Sequence, residues 1–291
     1  MGVENRNSWP AHPCLFPMKF KISKDVFLEG LQKVQHVVSS RTTLPILSNV
    51  LLVAKDGRLV FTTTDLDVGI TGSVEASIEK EGATTLPAKR LVSIVKELPA
   101  SEIEVTVDAK NFATIKSGPS TFKIIGLSDS EFPPLPDFEG AKTFKIPQAD
   151  LKNGLKKTAF AISTDETRYV LNGIFASFRE GKLALVATDG RRLAMADMDL
   201  EFPASHETDV IIPSKAVSEI QRLLGDTGEV EVKLSDSQIS FTVGDTFLAS
   251  KLIEGNYPNY RQVIPGDSNE RVVISREHLL ETVRRVSLLS S

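Results

Sequence analysis

The residues that could do chemistry are few, and their spacing does not suit catalysis. Four histidines, His12, His36, His206 and His278, stand far apart and show no metal-ligand spacing. The single cysteine, Cys14, precedes Met18, so everything after Met18 is without thiolate or disulfide chemistry. There is no phosphate-cradling glycine loop and no Gly-x-Ser-x-Gly elbow. What remains is carboxylate: Asp65, Asp67 and Asp189 could in principle serve as a general acid and base. Asp65 and Asp189, however, each follow a threonine, in Thr64-Asp65 and Thr188-Asp189, 124 residues apart. The same acid at the same turn of a repeated chain is better explained by its bonding its own backbone than by catalysis. No catalytic residue, metal or cofactor is assigned.

The second of these turns lies in Leu185-Val-Ala-Thr-Asp-Gly-Arg-Arg-Leu-Ala194, which predicts strand, turn and strand, with Arg191 and Arg192 just past Asp189-Gly190. The offset recurs along the chain. Phe20-Lys-Ile22 matches Phe144-Lys-Ile146, Leu31 matches Leu155, Pro87 matches Pro213 at 126, and Glu131-Phe-Pro133 matches Asn256-Tyr-Pro258 at 125. A third start follows, where Ile274-Ser-Arg-Glu-His-Leu-Leu280 echoes Ile22-Ser-Lys-Asp-Val-Phe-Leu28. The expected organisation is a disordered leader at 1–17, repeats at 18–140 and 141–268, and the first strand and helix of an incomplete third unit at 269–291.

Helical stripes run through Phe27, Leu31, Val34 and Val38, through Leu91, Ile94, Val95 and Leu98, through Leu151, Leu155, Ala159 and Ile162, and through Val217, Ile220 and Leu224. Between them, strands are predicted at 58–63, 102–107, 113–116, 121–125, 173–178, 182–188, 229–233 and 238–243. Two helices against many antiparallel strands in each repeat define an α+β class. Phe132-Pro-Pro-Leu-Pro-Asp-Phe138 reads as an extended connector.

The net charge is −4, which taken alone argues against a polyanion partner. The distribution argues the other way. The helical windows 24–38, 89–98, 150–162, 215–224 and 276–286 hold thirteen basic and seven acidic residues, leaving the remainder strongly acidic. A basic surface on an acidic body suits a polyanion held through its phosphates. No run of residues is apolar for the roughly 18 positions a membrane span needs, and a cytoplasmic location is expected.

Four stretches together resemble the bacterial DNA sliding clamp, the beta subunit of the replicative DNA polymerase III. They are Arg41-Thr-Thr-Leu-Pro-Ile-Leu-Ser-Asn49, Arg168-Tyr-Val-Leu-Asn-Gly173, Val186–Ala194 and Tyr257-Pro-Asn-Tyr-Arg-Gln-Val-Ile-Pro265. The resemblance runs from Met18 to Ser291. It implies a DNA clamp fold of tandem repeated domains, a homodimeric ring when full length, and a non-catalytic processivity factor. Such a factor holds double-stranded DNA without reading its sequence, and binds polymerase and clamp-loader subunits through short linear peptides. It also implies sites. The peptide pocket falls on Leu171, Thr188, Gly190, Arg191, Arg192, Leu193, Pro258 and Val263. DNA contact falls on Arg41, with Tyr169 beside it, and Lys152 and Lys156 come from the basic windows. The subunit interface falls on Phe122 and Ile124 against Leu288 and Leu289. Asp165 stands where the family places a DNA-contacting polar side chain, and as an acid it is not assigned that role. Since the third unit is incomplete, this polypeptide by itself is not expected to close a stable ring. Two other readings stay open at this stage: a repeat-built interaction scaffold with no DNA role, and an enzyme using the turn carboxylates.

Overall fold

The computed structural model describes residues 17–38, 44–99, 102–266 and 269–289. The predicted disordered leader, apart from Pro17, and Arg41 lie outside the described residues.

The first repeat opens with β1 (Met18–Ser23), which alternates buried and outward residues and ends in a cap. The Ser23 hydroxyl accepts from the Val26 amide and starts α1 (Lys24–Val34). Then come β2 (Asn49–Lys55), β3 (Arg58–Thr64), β4 (Val68–Glu75), β5 (Ser77–Lys80) and β6 (Gly82–Pro87). After them follow α2 (Ala88–Glu97), β7 (Glu102–Val107), β8 (Phe112–Ser117) and β9 (Ser120–Ile125). The second repeat runs through β10 (Lys142–Pro147), α3 (Gln148–Thr158), β11 (Gly173–Arg179), β12 (Lys182–Thr188) and β13 (Leu193–Asp199). It ends with β14 (Thr208–Pro213), α4 (Ser214–Leu223), β15 (Glu229–Leu234), β16 (Gln238–Val243) and β17 (Thr246–Lys251). At three strand-to-helix switches the residue before the helix is proline, namely Pro87, Pro147 and Pro213. Proline has no N–H for the strand ladder and holds φ near a helical value, so it ends one element and admits the next.

The described strands form three sheets, and one of them spans both repeats. The orders are β5-β1-β7-β8-β9, β10-β15-β16-β17-β4-β3-β2-β6 and β13-β12-β11-β14. The joint is β17 against β4, antiparallel, with Leu248 opposite Ile70. Register assigns the faces of this eight-stranded sheet. Thr63, Ile70, Leu248, Phe241, Val232 and Phe144 are successive cross-strand partners, so they project from one face. Thr63 donates to the Val34 carbonyl of α1 on that face. Leu91 and Val95 of α2, Leu151 and Leu155 of α3, and Val217 and Ile220 of α4 belong to the same buried cluster. The other face carries a small cluster of Ile46, Leu47, Leu51, Val53 and Ala83, closed by Phe132 of the connector.

The compact unit therefore runs to Tyr257, across the expected repeat boundary at 140/141, and Pro258–Ser291 forms a second unit. In that second unit α5 (Arg276–Ser287) starts at Ser275, whose hydroxyl accepts from the His278 amide. The expected strand before it does not form: 270–275 carry no regular structure. A strand needs a hydrogen-bonded neighbour, and none of the described strands pairs with this stretch.

Candidate partner-peptide hairpin and nucleic-acid face

Asp189 to Arg192 are a four-residue loop joining β12 to β13, so the two arginines sit inside the turn rather than beyond it. The side chains of Thr188 and Asp189 build the loop. The Thr188 hydroxyl accepts from the Gly190 amide (3.1 Å) and donates to the Arg192 carbonyl (2.7 Å). Asp189 Oδ1 accepts from the amides of Arg191 (2.9 Å) and Arg192 (3.0 Å), and Oδ2 from Arg192 Nε (3.0 Å). Gly190 has φ +85°, a region that side chains disfavour. The first repeat builds the same loop: Thr64 accepts from the Leu66 amide and donates to the Val68 carbonyl, and Asp65 accepts from the amides of Asp67 and Val68. Both acids are thus consumed in holding backbone, and the remaining Asp65 oxygen takes Lys215 Nζ from α4. Among the described residues no cluster of three or more His, Cys, Asp or Glu could hold a metal ion.

Amide hydrogen bonds from Arg191 and Arg192 come first in holding the Asp189 carboxyl down to about 2, from an ordinary 3.8. A carboxylate depressed on folding stabilises its loop above the ordinary value and gives up that contribution as pH falls toward the folded one. The loop is therefore fully supported above about pH 4 and loosens on approach to pH 2. The amide shifts of Arg191 and Arg192 are expected to titrate with a midpoint near 2. A midpoint at 3.8 would mean that the carboxylate is not engaged.

Around the loop, residues from distant segments assemble. Leu193 is half-buried, and Leu171 is buried at the end of a 3-10 turn (Glu166–Leu171), not in a strand. Arg192 lies over the Phe160 ring at 5.7 Å, and Phe160 itself is exposed. Arg168 reaches the turn: a Cβ at Gly190 would come within 2.8 Å of its Nη1. Tyr257 stacks on Phe175 at 5.0 Å, which brings the end of the first unit to the back of the hairpin. Burial lifts its hydroxyl to about 12. Phe160, Arg168 and Tyr257 escaped sequence reasoning because only the tertiary fold brings them together. Pro258 and Val263 belong to the second unit, where both are exposed.

The helix cations divide into two groups. Lys24 donates to the Leu98 carbonyl, Lys33 pairs with Glu29, Arg222 with Glu219, and Lys152 with Asp226 at 2.7 Å. Lys89, Arg90 and Lys96 of α2 and Lys156 and Lys157 of α3 are exposed and lie outside the ion pairs of the described residues. Tyr169 is exposed. Asp165 caps the 3-10 turn by accepting from the Thr167 hydroxyl and amide, which lower its pKa, with Arg168 at 3.6 Å. On β9, Phe122 is exposed but Ile124 is 4% exposed and sits in the core. Of the two expected interface residues on this edge strand, Phe122 is therefore at the surface and Ile124 is not. Leu288 and Leu289 of the second unit are almost fully exposed.

Comparison with known proteins decides the family. The profile described as "DNA polymerase III beta subunit, N-terminal domain" matches residues 18–136, and its central-domain counterpart matches 145–259. The chain belongs to the beta sliding clamp family. It is 36% identical over 274 residues to the beta sliding clamp of Chlamydia pneumoniae and 38% identical over 277 residues to that of Pseudomonas aeruginosa. In each case 94% of this chain covers 75% of the relative. The crystal structure of the Bacillus subtilis sliding clamp superposes with a TM-score of 0.89 at 35% identity, over 94% of this chain and 74% of that one. A Bartonella birtlesii clamp solved with griselimycin bound gives 0.89 at 41%, over 94% and 75%. As a member of this family the chain is a non-catalytic accessory subunit of the replicative DNA polymerase, a clamp that confers processivity. The readings as an enzyme and as a scaffold with no DNA role are thereby set aside.

Proposed function

We propose that the α1–α4 faces of this chain border a channel for duplex DNA, and that the Thr188–Leu193 hairpin receives short peptides from polymerase and clamp-loader subunits. The observation that carries the DNA half is the set of exposed cations on α2 and α3 that no acid neutralises among the described residues. Point charges on helix faces hold phosphates without reading bases, which is what a sliding contact requires. Arg41, which lies outside the described residues, and Tyr169 are assigned to DNA contact by their place in the family pattern. The Bartonella birtlesii clamp solved with griselimycin bound is an instance of a clamp accepting a ligand. A homodimeric ring would use the free edge of β9, with Phe122, against Leu288 and Leu289 of a second copy. A cytoplasmic setting belongs to the same reading, and no described helix is long and apolar enough to cross a membrane.

DNA affinity is expected to be weak and steeply salt-dependent, with a log–log slope of about −0.9 per phosphate contact. Replacing Arg41, Lys152 and Lys156 by alanine should flatten that slope and lower affinity equally for unrelated duplexes. Lys156→Ala should have a larger effect than Lys152→Ala, because Lys152 must first leave Asp226. An affinity that varied strongly with base sequence would refute the clamp reading of this face.

A further inference from the structure

We infer that the first repeat carries its own copy of the peptide cleft, and that Leu135 of the connector occupies it, leaving one cleft per chain open to partners. This rests on the peptide reading of the Thr188–Leu193 hairpin. The repeat offset of 124 carries Thr188, Gly190, Arg191, Arg192 and Leu193 onto Thr64, Leu66, Asp67, Val68 and Gly69, and the offset of 125 carries Pro258 onto Pro133. All six of these first-repeat residues line a single cavity of about 240 Å³. Its far wall comes from Ala249 to Lys251 of β17.

The loops in the two repeats have the same hydrogen bonds, and Leu66 adopts φ +78° where Gly190 has +85°. The floor differs. The second repeat has the side chain of Leu193, and the first has Gly69, where an added Cβ would overlap the Leu135 Cδ2. Leu135 thus supplies from the connector the apolar group that Leu193 supplies from its own strand, and it fills the space above. The connector is pinned on both sides of it. Phe132 is buried against Ile46 and Leu47, and Phe138 meets Phe247 edge-on at 6.1 Å. Asp67 and Lys251 pair at 3.0 Å beside the opening. The volume left over is below the roughly 300–1,000 Å³ of ordinary ligand pockets. A tethered segment is present at millimolar or higher effective concentration, so a weakly binding external peptide cannot displace it.

The test is anisotropy titration of a labelled peptide with two apolar anchors against full-length protein. The wild type should bind one peptide per chain and Leu193→Asp none. Leu193→Asp combined with Leu135→Ala should regain saturable binding at one peptide per chain, lost again when Leu66→Asp is added. Leu135→Val, a smaller truncation, guards against loss of the fold and should regain binding more weakly. Binding that survives Leu193→Asp overturns the hairpin reading and this inference with it. Binding lost in Leu193→Asp and not regained in either double variant, with both still melting as folded chains, overturns the inference alone.

Discussion

Gly30→Ala is expected to destabilise the protein by about 2 kcal/mol, although alanine is the better helix former. Gly30 is buried in α1, and a Cβ there would stand 2.5 Å from Phe61 Cε2 and 2.8 Å from Cζ. Phe61 is fully buried, with Phe27 packed against it at 6.0 Å between ring centroids, so the ring has nowhere to go. Overpacking a filled core costs about 1–3 kcal/mol, here the upper end because the Phe61 ring is enclosed, and the helix-propensity gain of about 1 kcal/mol leaves a net loss of about 2 kcal/mol. Gly154 is the same position one repeat later, in α3, facing Met198 Cε at 2.7 Å and Leu185 Cδ1 at 2.9 Å. Met198 ends in a flexible, partly buried side chain, while Leu185 is buried and must shift slightly. Gly154→Ala should therefore cost much less than Gly30→Ala, because methionine can swing aside and propensity offsets what Leu185 gives up. Thermal unfolding checks the pair: a fall of about 4–8 °C for Gly30→Ala and about 2 °C or less for Gly154→Ala. Equal shifts would mean that neither glycine is there for close approach of helix to sheet.

That contrast also shows how far the sequence carried. Leu31 and Leu155 sit on stripes of period 3.6, and each helix was legible from its own residues, because amphipathic periodicity is local. β4 was not. Val68-Gly-Ile-Thr-Gly-Ser-Val-Glu75 carries two glycines that dilute any strand signal, and one of them, Gly69, is there because Leu135 approaches. The pairing of β4 with β17 joins residues some 180 positions apart, and nothing local announces it. The burial of Ile124 was hidden for another reason: Phe122 and Ile124 share a face by alternation, but only the end of that face is uncovered. The turn acids were the opposite case. Repetition of Thr-Asp at a fixed offset was enough to read Asp65 and Asp189 as backbone acceptors. What repetition did not convey was the clip of Lys215 onto Asp65 and the Val37 carbonyl, which ties α4 to the first repeat.

Leu193→Asp is expected to abolish peptide binding while leaving the fold and DNA binding unchanged. Leu193 opens β13, is half-buried, and pairs with Thr188 through backbone alone, so the ladder does not depend on its side chain. The loop beside it is already set by Asp189, which keeps Arg191 and Arg192 in place with or without a ligand. A leucine or aromatic anchor buried on such a floor gains roughly 1.5–3 kcal/mol, before the cost of ordering the peptide. A carboxylate on the floor removes that gain and adds the cost of covering a charge with apolar groups, at least about 1–3 kcal/mol more. Together these amount to about a hundredfold to ten-thousandfold in Kd. Arg192 could reach the new carboxylate only by leaving both Asp189 and the Phe160 ring, so rescue from that side is incomplete. Leu193→Ala separates the two contributions. It loses contact area without adding charge, and should weaken binding by about tenfold to thirtyfold. Duplex DNA titrations serve as the control, because the exposed cations of α2 and α3 are untouched by either change. Should both variants bind the two-anchor peptide as tightly as the wild type, Leu193 is an ordinary strand residue and the peptide site lies elsewhere on the chain.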